Sequence, residues 1–211
     1  MGACAAAKIM VHMRNFSGES HMLPEERNRG VQGITARIKA ILTTPKTEWP
    51  VIAQETAPAG DVFTGYVMPL AAIGPVAMLI GSRHFGIGSA ILSYVLGLAA
   101  VLVMSLLVEQ LSPKFGGKQS RSAAFRLIAY SGTAGWLAGI FNLIPGLGLL
   151  TIIGGLYGLY LFYLGSGPML AIPQDKRVVF IVVVAIVAFF LSMVIGLFVG
   201  SILGIGGMMG L

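Results

Sequence analysis

The stretch that decides the fold is residues 127–174, LIAYSGTAGWLAGIFNLIPGLGLLTIIGGLYGLYLFYLGSGPMLAIPQ, in which no Asp, Glu, Lys or Arg occurs. A helix needs about 20 apolar residues to cross about 30 Å of hydrocarbon, so this stretch is more than twice as long as one span. The proline at position 145 removes a helical hydrogen bond, and the glycines at 146 and 148 add backbone freedom. We therefore predict two helices, Leu127–Leu143 and Leu147–Leu170, joined by a tight uncharged turn.

Three other long stretches of the chain also lack charged residues. They cover residues 62–82, 85–108 and 178–211, and each is long enough for one membrane-spanning helix. Together with the two central helices, they predict an all-α membrane protein with five transmembrane helices. An alternative with four spans, in which one of the central helices is a re-entrant hairpin, stays open.

The composition excludes a water-soluble domain. Hydrophobic residues make up 56% of the chain and charged residues only 10%, whereas soluble domains carry about 25% charged residues. The single cysteine, Cys4, excludes a disulfide framework and a cysteine-based metal site. The class predicted by composition is therefore an integral membrane protein.

Lys and Arg are concentrated on one predicted side of the membrane. With five spans, the N-terminal region and the loops of residues 109–126 and 174–177 share a side and hold 13 of the 14 Lys and Arg residues. Because positively charged loops stay in the cytoplasm, we predict a cytoplasmic N-terminus and an outside C-terminus. The net charge of +6 thus reflects topology. We predict no nucleic-acid partner, since the interleaved aromatic and basic residues of single-strand binders are missing.

The chain is predicted to have three parts. Residues 1–28 mix polar residues with little periodicity and are expected to be a disordered or poorly ordered cytoplasmic lead-in. Residues 29–61 are expected to form an interfacial helix and a linker that contains proline and tryptophan. Residues 62–211 are expected to form the membrane domain.

The interfacial helix is predicted from apolar residues at helical spacing: Val31, Ile34, Ile38, Ile41 and Leu42. Arg37 and Lys39 fall on other faces, where basic side chains contact anionic lipid headgroups. Trp49 follows the proline that ends this helix, and a tryptophan just before a span suits the interface. Arg37, Lys39 and Trp49 are therefore candidate headgroup contacts. In the alternative, the segment is a cytosolic helix packed on the underside of the bundle.

Small residues recur at intervals of four within the predicted spans. In lipid, such stripes allow close contact between helix backbones. Either they pack helices within one bundle, or the stripe near the C-terminus forms a homo-oligomer interface. The candidate packing positions are Gly135, Gly139, Gly196, Gly200 and Gly204.

Polar groups inside the predicted spans are few, and they are the candidate contacts for a substrate or partner. Asn142 lies next to the proline break, and Tyr130, Ser131 and Thr133 lie two to three turns earlier on the same predicted helix. A helix break can form a site in transporters, although an asparagine that caps a turn is the alternative. Charged residues such as Arg126 lie at predicted span ends, where a charge reaches water.

No catalytic or cofactor site is predicted. His12, His21 and His84 lie far apart in the sequence and lack metal-ligand spacing. No carboxylate pair lies within the predicted bundle for acid–base chemistry. We therefore expect neither a metal, nor a cofactor, nor enzymatic activity.

Several short motifs occur in an order that resembles the YIP family of multi-pass membrane proteins, which are similar to eukaryotic Ypt/Rab-interacting proteins. The resemblance runs from about Val31 to the C-terminus and is greatest to the bacterial branch. The eukaryotic Asp-Leu-Tyr-Gly-Pro signature is absent, so a Rab-binding role is not carried over. The motifs are Pro45-Lys-Thr-Glu-Trp49, Ala129-Tyr130-Ser131, Asn142-Leu-Ile-Pro-Gly146, the tyrosines Tyr157, Tyr160 and Tyr163, and Ile172-Pro-Gln-Asp-Lys-Arg177.

The resemblance implies a scaffold without chemistry of its own. We expect a scaffold or adaptor that organises membrane lipids or cytoplasmic-side protein partners, with a homo-oligomer as a further option. The expected location is a bacterial inner membrane. The alternative is a small transporter or channel with its site near the break at residues 142–145.

Overall fold

The computed structural model describes residues 24–55, 58–82, 86–144 and 146–208, and every regular element among them is helical. The chain divides into two compact units, Met1–Thr35 and Ala36–Leu211. The described part of the first unit is the beginning of helix α1. Most of the predicted lead-in, residues 1–23, lies outside the described residues, as do the proline at position 145 and the side chain of Gly204. Residues 24–28 of the lead-in are helical.

The bounds of the main helices follow the apolar stretches of the sequence. Short 3₁₀ turns follow α4 and α6 and precede α7, and α3 contains a π-helical turn at Phe63–Val67. The helices are α1 Pro24–Thr43, α2 Pro45–Gln54, α3 Ala59–Gly81, α4 Ile87–Leu111, α5 Arg121–Ser131, α6 Thr133–Ala138, α7 Leu150–Leu170 and α8 Gln174–Met208.

Four helical segments of the described chain are long and apolar enough to cross a membrane. They are Ala59–Gly81, Ile87–Phe115, Leu147–Leu170 and Gln174–Ser201. The prediction of an all-helical protein with several membrane-spanning helices is therefore confirmed at this level, and the third of these segments has the bounds that the sequence predicted.

The remaining predicted span, Leu127–Leu143, is not among these four. It belongs to a segment that runs through α5 and α6 and is interrupted by a turn at Gly132. This segment packs against α3, α4 and α7, and eight of the eleven residues of α5 are buried. Other helices cover much of the surface of this segment. Its residues can therefore be less apolar than those of α7 and α8, which are more exposed.

The region expected to be a linker forms a second short helix. Helix α2 follows α1 after Thr44, with Pro45 in its first turn, where the missing N–H has no partner to lose. Pro45, Trp49 and Ile52 are buried, and α2 packs against α7. The segment from Ala36 to Gln54 therefore forms a helical hairpin, the α1–α2 hairpin, on the side of α7.

Loops that the sequence assigned to one side of the membrane lie together. The N–H of Lys118, in the loop after α4, donates to the carbonyl of Leu170 at the end of α7, at 2.7 Å. At the opposite end of α7, a Cβ on Gly81 would lie 2.5 Å from the carbonyl oxygen of Asn142. The end of α3 and the turn after α6 are thus in contact, far from the Lys118 loop.

Glycines in the apolar helices, including the predicted packing positions, have different environments. A Cβ on Gly139 would lie 2.9 Å from Gly74, and one on Gly158 would lie 3.0 Å from the carbonyl oxygen of Ser131. These contacts belong to tight packing within one bundle. By contrast, a Cβ on Gly135, Gly196 or Gly200 would meet nothing within 4 Å.

Candidate functional site

The most concentrated group of polar contacts lies where the α1–α2 hairpin meets the bundle. The guanidinium of Arg37 forms salt bridges with Glu48 of α2 and with Glu55, the residue that follows α2. The same guanidinium lies 5.8 Å from the centre of the Tyr130 ring, within cation–π range. Arg37 therefore joins both helices of the hairpin to α5.

These contacts keep Arg37 charged. Burial lowers the pKa of this guanidinium, but the negative charges of Glu55 and Glu48 outweigh that effect and hold it above its ordinary value. The side chains of Arg37, Glu48 and Glu55 are 22%, 17% and 25% exposed, so the ion pairs are partly shielded from water. Such pairs are screened less by salt than fully exposed ones.

Arg126 makes the second connection to the hairpin. Its side chain is buried, at 7% exposure, although the sequence suggested a charge that reaches water. It donates hydrogen bonds to the carbonyls of Ile52 and Glu55 at the end of α2, and to the carbonyl of Ser122 on its own helix. The last carbonyls of a helix lack part of their usual donors. Arg126 supplies one donor to the Glu55 carbonyl and a second donor, beside the N–H of Glu55, to the Ile52 carbonyl.

A third set of contacts continues the cluster into the bundle. The hydroxyl of Thr133 donates to the carbonyl of Tyr130 at 2.7 Å, so the Tyr66 hydroxyl, 2.8 Å away, donates to Thr133. The rings of Tyr66 and Tyr130 meet edge to face, with centroids 4.9 Å apart. Tyr66 lies within the π-helical turn of α3, and π-helical turns often occur at functional sites.

We call this arrangement the inner polar cluster. Protein groups engage its two guanidinium groups, its two carboxylates and the hydroxyls of Tyr66 and Thr133, whereas Tyr130 contributes its ring and its backbone carbonyl. Its members are Arg37, Glu48, Glu55, Tyr66, Arg126, Tyr130 and Thr133.

Trp49, in the middle of α2, packs between α2 and α7. Its side chain is fully buried, and its Nε1 has no hydrogen-bond partner among the described residues. A Cβ on Gly165 of α7 would lie 2.7 Å from Trp49 Cε2 and 2.6 Å from Leu127 Cδ1. The absence of a side chain at Gly165 therefore makes room for the indole.

The predicted headgroup contacts have three different environments. Arg37 is engaged by Glu48 and Glu55, Trp49 has no exposed surface, and Lys39 is exposed. Only Lys39 has the open surface that a headgroup contact requires. For all three residues, the lipid role stays a prediction.

The four predicted substrate or partner contacts lie in three separate places. Tyr130 and Thr133 belong to the inner polar cluster. Asn142 is half-buried and donates from Nδ2 to the carbonyl of Gly139 at 3.0 Å, as expected for a residue that caps a turn. Ser131 is buried, and its hydroxyl has no hydrogen-bond partner among the described residues. The four side chains therefore do not form one site.

Ser131 lines a cavity of about 390 Å³ between α4, α5, α7 and α8. The residues of the described chain that line it are apolar or small, with Met104, Phe162 and Leu191 among the larger ones, and none of them is charged. This cavity suits an apolar chain better than a hydrated ion, because a hydrated ion needs polar groups along its path.

Sequence reasoning missed four members of the inner polar cluster: Glu48, Glu55, Tyr66 and Arg126. One signal was present, because Glu48 and Glu55 lie seven residues apart and therefore on one face if the linker is helical. No pattern in the sequence indicated that the side chain of Arg126 is buried.

A comparison with protein-family models matches residues 39–196 to the model described as Yip1 domain. The matched region begins within α1 and ends within α8. No curated protein and no solved structure matches the chain.

Proposed function

Because this chain belongs to the Yip1 domain family of membrane proteins, we propose that it is a non-enzymatic scaffold or adaptor that organises membrane lipids or partner proteins. The observation that carries the proposal is the inner polar cluster, in which the interior polar groups bind one another. A transporter needs polar groups that are free to contact a substrate along a path, whereas a scaffold needs a rigid surface.

The cluster gives the α1–α2 hairpin a fixed position on the bundle. Arg37 and Arg126 each join it to α5, and the Tyr157 hydroxyl of α7 donates to the carbonyl of Leu42 at 2.7 Å. A hairpin held at three points can present its exposed face, which includes Lys39, without the entropy cost of ordering on binding. This face is the proposed contact for lipids or cytoplasmic-side partners. Gly196 and Gly200, which meet no neighbour, leave α8 open to a second copy of the chain.

A charge reversal at Lys39 tests the scaffold. In cross-linked native membranes, Lys39→Glu is expected to reduce the recovery of specific partner proteins about fivefold, since an exposed ion pair contributes up to about 1 kcal/mol and the reversal removes it. Arg37 is unsuitable for this test because its replacement would break the salt bridges to Glu48 and Glu55.

Lys114→Glu is the matched control, because Lys114 is also exposed but lies in the 3₁₀ turn after α4. Equal recovery of partners with wild type, Lys39→Glu and Lys114→Glu would contradict the scaffold role of this face. Recovery lost only with Lys39→Glu would support it.

We also propose five crossings, with a cytoplasmic N-terminus in a bacterial inner membrane. The fifth crossing is the segment of residues 121–143. Its beginning lies beside the loop that contains Lys118, and its end lies beside Gly81 at the far end of α3. It therefore extends as far along the bundle as α3, one of the four apolar spans.

Cysteine labelling distinguishes five crossings from four. In a Cys4→Ala background, single cysteines at the exposed positions Gln119, Leu149 and Ser201 are treated with a membrane-impermeant maleimide. With five crossings, Leu149→Cys and Ser201→Cys react in cells with a permeabilised outer membrane, and Gln119→Cys reacts only after lysis. A Ser201→Cys that reacts only after lysis, as Gln119→Cys does, would mean an even number of crossings.

A small transporter is the second candidate function, and the unpartnered Ser131 hydroxyl beside the 390 Å³ cavity is the observation that favours it. Solute flux into liposomes that is abolished by Ser131→Ala, with the protein still folded, would overturn the scaffold proposal.

A further inference from the structure

A polar notch lies between the tip of the α1–α2 hairpin and the side of α7. Its volume is about 390 Å³, and its lining includes Thr43, Thr44, Lys46, Thr47, Tyr157 and Tyr160. Lys46 and the three threonines are exposed. The notch belongs to neither the inner polar cluster nor the cavity beside Ser131.

The notch lies well inside the length of a membrane-spanning helix. Tyr160 is ten residues before Leu170, where α7 ends, which corresponds to about 15 Å along the helix. Hydrocarbon at that level would leave Lys46 facing lipid tails, which is strongly unfavourable for a charged group. A polar or ionic partner is therefore needed at this position.

Lys46 gives the lining of the notch a positive charge. The nearby carboxylates, Glu48 on the hairpin and Glu55 directly after it, both form salt bridges with Arg37. Lys39 and Lys46, one on each helix of the hairpin, form no salt bridge with any described residue. The missing partner should therefore be an anion.

An apolar groove continues from the notch. Its volume is about 480 Å³, and Leu42, Leu137, Ile140, Leu150 and Ile153 line it together with Tyr157, which also lines the notch. Ile140 and Ile153 are exposed along it, at 54% and 62%. The two spaces thus place a cationic, hydroxyl-rich end beside an apolar channel.

We propose that the notch and the groove together bind one anionic phospholipid. Its phosphate lies at the Lys46 ammonium, and one acyl chain lies in the groove. The three threonine hydroxyls beside Lys46 donate to the carbonyls of Lys39, Ala40 and Thr44, so Lys46 is the group that binds the phosphate. An anionic phospholipid has the charge and the apolar length that the two spaces require, whereas a soluble anion would leave the groove empty. The headgroup then lies deeper than the loops at the end of α7, so the bilayer is locally thinned beside the hairpin.

The experiment compares the lipids retained by the purified full chain. The protein is equilibrated with equal amounts of phosphatidylglycerol and phosphatidylcholine in detergent, and the bound lipids are counted by native mass spectrometry. Wild type is expected to retain phosphatidylglycerol preferentially. Lys46→Glu is expected to reduce its retention about fivefold or more, with phosphatidylcholine unchanged, given the contribution of one lysine.

Two control variants make the result specific. Lys114→Glu changes the net charge equally at an exposed position outside the notch and should keep the preference. Ile153→Trp fills the groove at an exposed position and should reduce the retention of both lipids, whereas Ile80→Trp, on the exposed surface of α3, should not. These positions are exposed, so the variants should fold.

Three outcomes would overturn the proposal: an unchanged preference in Lys46→Glu, an equal loss in Lys114→Glu, or full lipid retention in Ile153→Trp. The inference does not depend on the scaffold role. Loss of partner recovery with Lys39→Glu, and not with Lys46→Glu, would support the scaffold role. The lipid measurement would still test separately whether the notch binds a phospholipid.

Discussion

Replacing Arg126 by methionine is expected to lower the free energy of unfolding by about 3 kcal/mol, because hydrogen bonds from a charged donor are worth about 1.5–3 kcal/mol each and buried carbonyls would lose theirs. Methionine has similar length and no donor. The carbonyl of Glu55 would lose the Arg126 guanidinium, and that of Ile52 would keep only the N–H of Glu55. Helix α2 would lose one of its two polar connections to α5. Unfolding in mixed detergent micelles, followed by circular dichroism, measures the change.

The control for this prediction lies on the same helix. Arg121 is exposed at the beginning of α5, so Arg121→Met should change the unfolding free energy by less than about 0.5 kcal/mol. Arg126→Lys should recover only part of the loss, since an ammonium lacks the planar donor geometry of a guanidinium. Equal stability of Arg126→Met and wild type would mean that the buried guanidinium does not hold the hairpin.

Replacing Gly165 by alanine is expected to destabilise the protein by about 2 kcal/mol, within the range for overpacked cores. The added methyl group would lie 2.7 Å from Trp49 Cε2 and 2.6 Å from Leu127 Cδ1, closer than carbon atoms can approach. Because Trp49 is fully buried, the indole can move away only if α2 moves away from α7. In a Trp136→Phe background, a red shift of the Trp49 fluorescence would report that movement.

Two further variants separate steric conflict from a general effect of alanine. Gly155 lies on the same helix, and a Cβ there would meet nothing within 4 Å, so Gly155→Ala should be neutral or stabilising by up to about 1 kcal/mol. Trp49→Leu combined with Gly165→Ala should be less destabilised than the sum of the single variants, because the conflict disappears. If the two losses in unfolding free energy were additive, the destabilisation by Gly165→Ala would not come from contact with Trp49.

Both predictions concern the attachment of the α1–α2 hairpin. Arg126 holds the end of α2, and Gly165 receives Trp49 from its middle. A variant that releases the hairpin should therefore also remove the exposed face proposed for partners and the notch proposed for a phospholipid. The unfolding free energy of each functional variant should therefore be measured as well. A loss of binding can be assigned to the exposed face or the notch only if the variant keeps the hairpin attached to the bundle.

The sequence predicted part of the candidate site. The end of α1 before Pro45 and the cap at Asn142 follow from proline and asparagine chemistry, which acts over a few residues. The helical state of α2 was not predicted, because two prolines and a tryptophan within ten residues resemble a linker, and burial against α7 overrides that local preference. The interior position of Arg126 was not predicted either, since a charge next to an apolar stretch usually reaches water.

By itself, the sequence determined that this chain is helical and apolar over membrane-spanning lengths, and that it is interrupted near residue 145. Hydrophobic length, helix breaks and the sorting of charge act along the chain, so they can be seen without a structure. Only the tertiary structure decided which polar groups meet: Arg126 contacts Ile52, 74 residues away, and Tyr157 contacts Leu42, 115 residues away. Such contacts depend on which helices become neighbours, and that choice follows from the packing of whole helix surfaces rather than from any local pattern of residues.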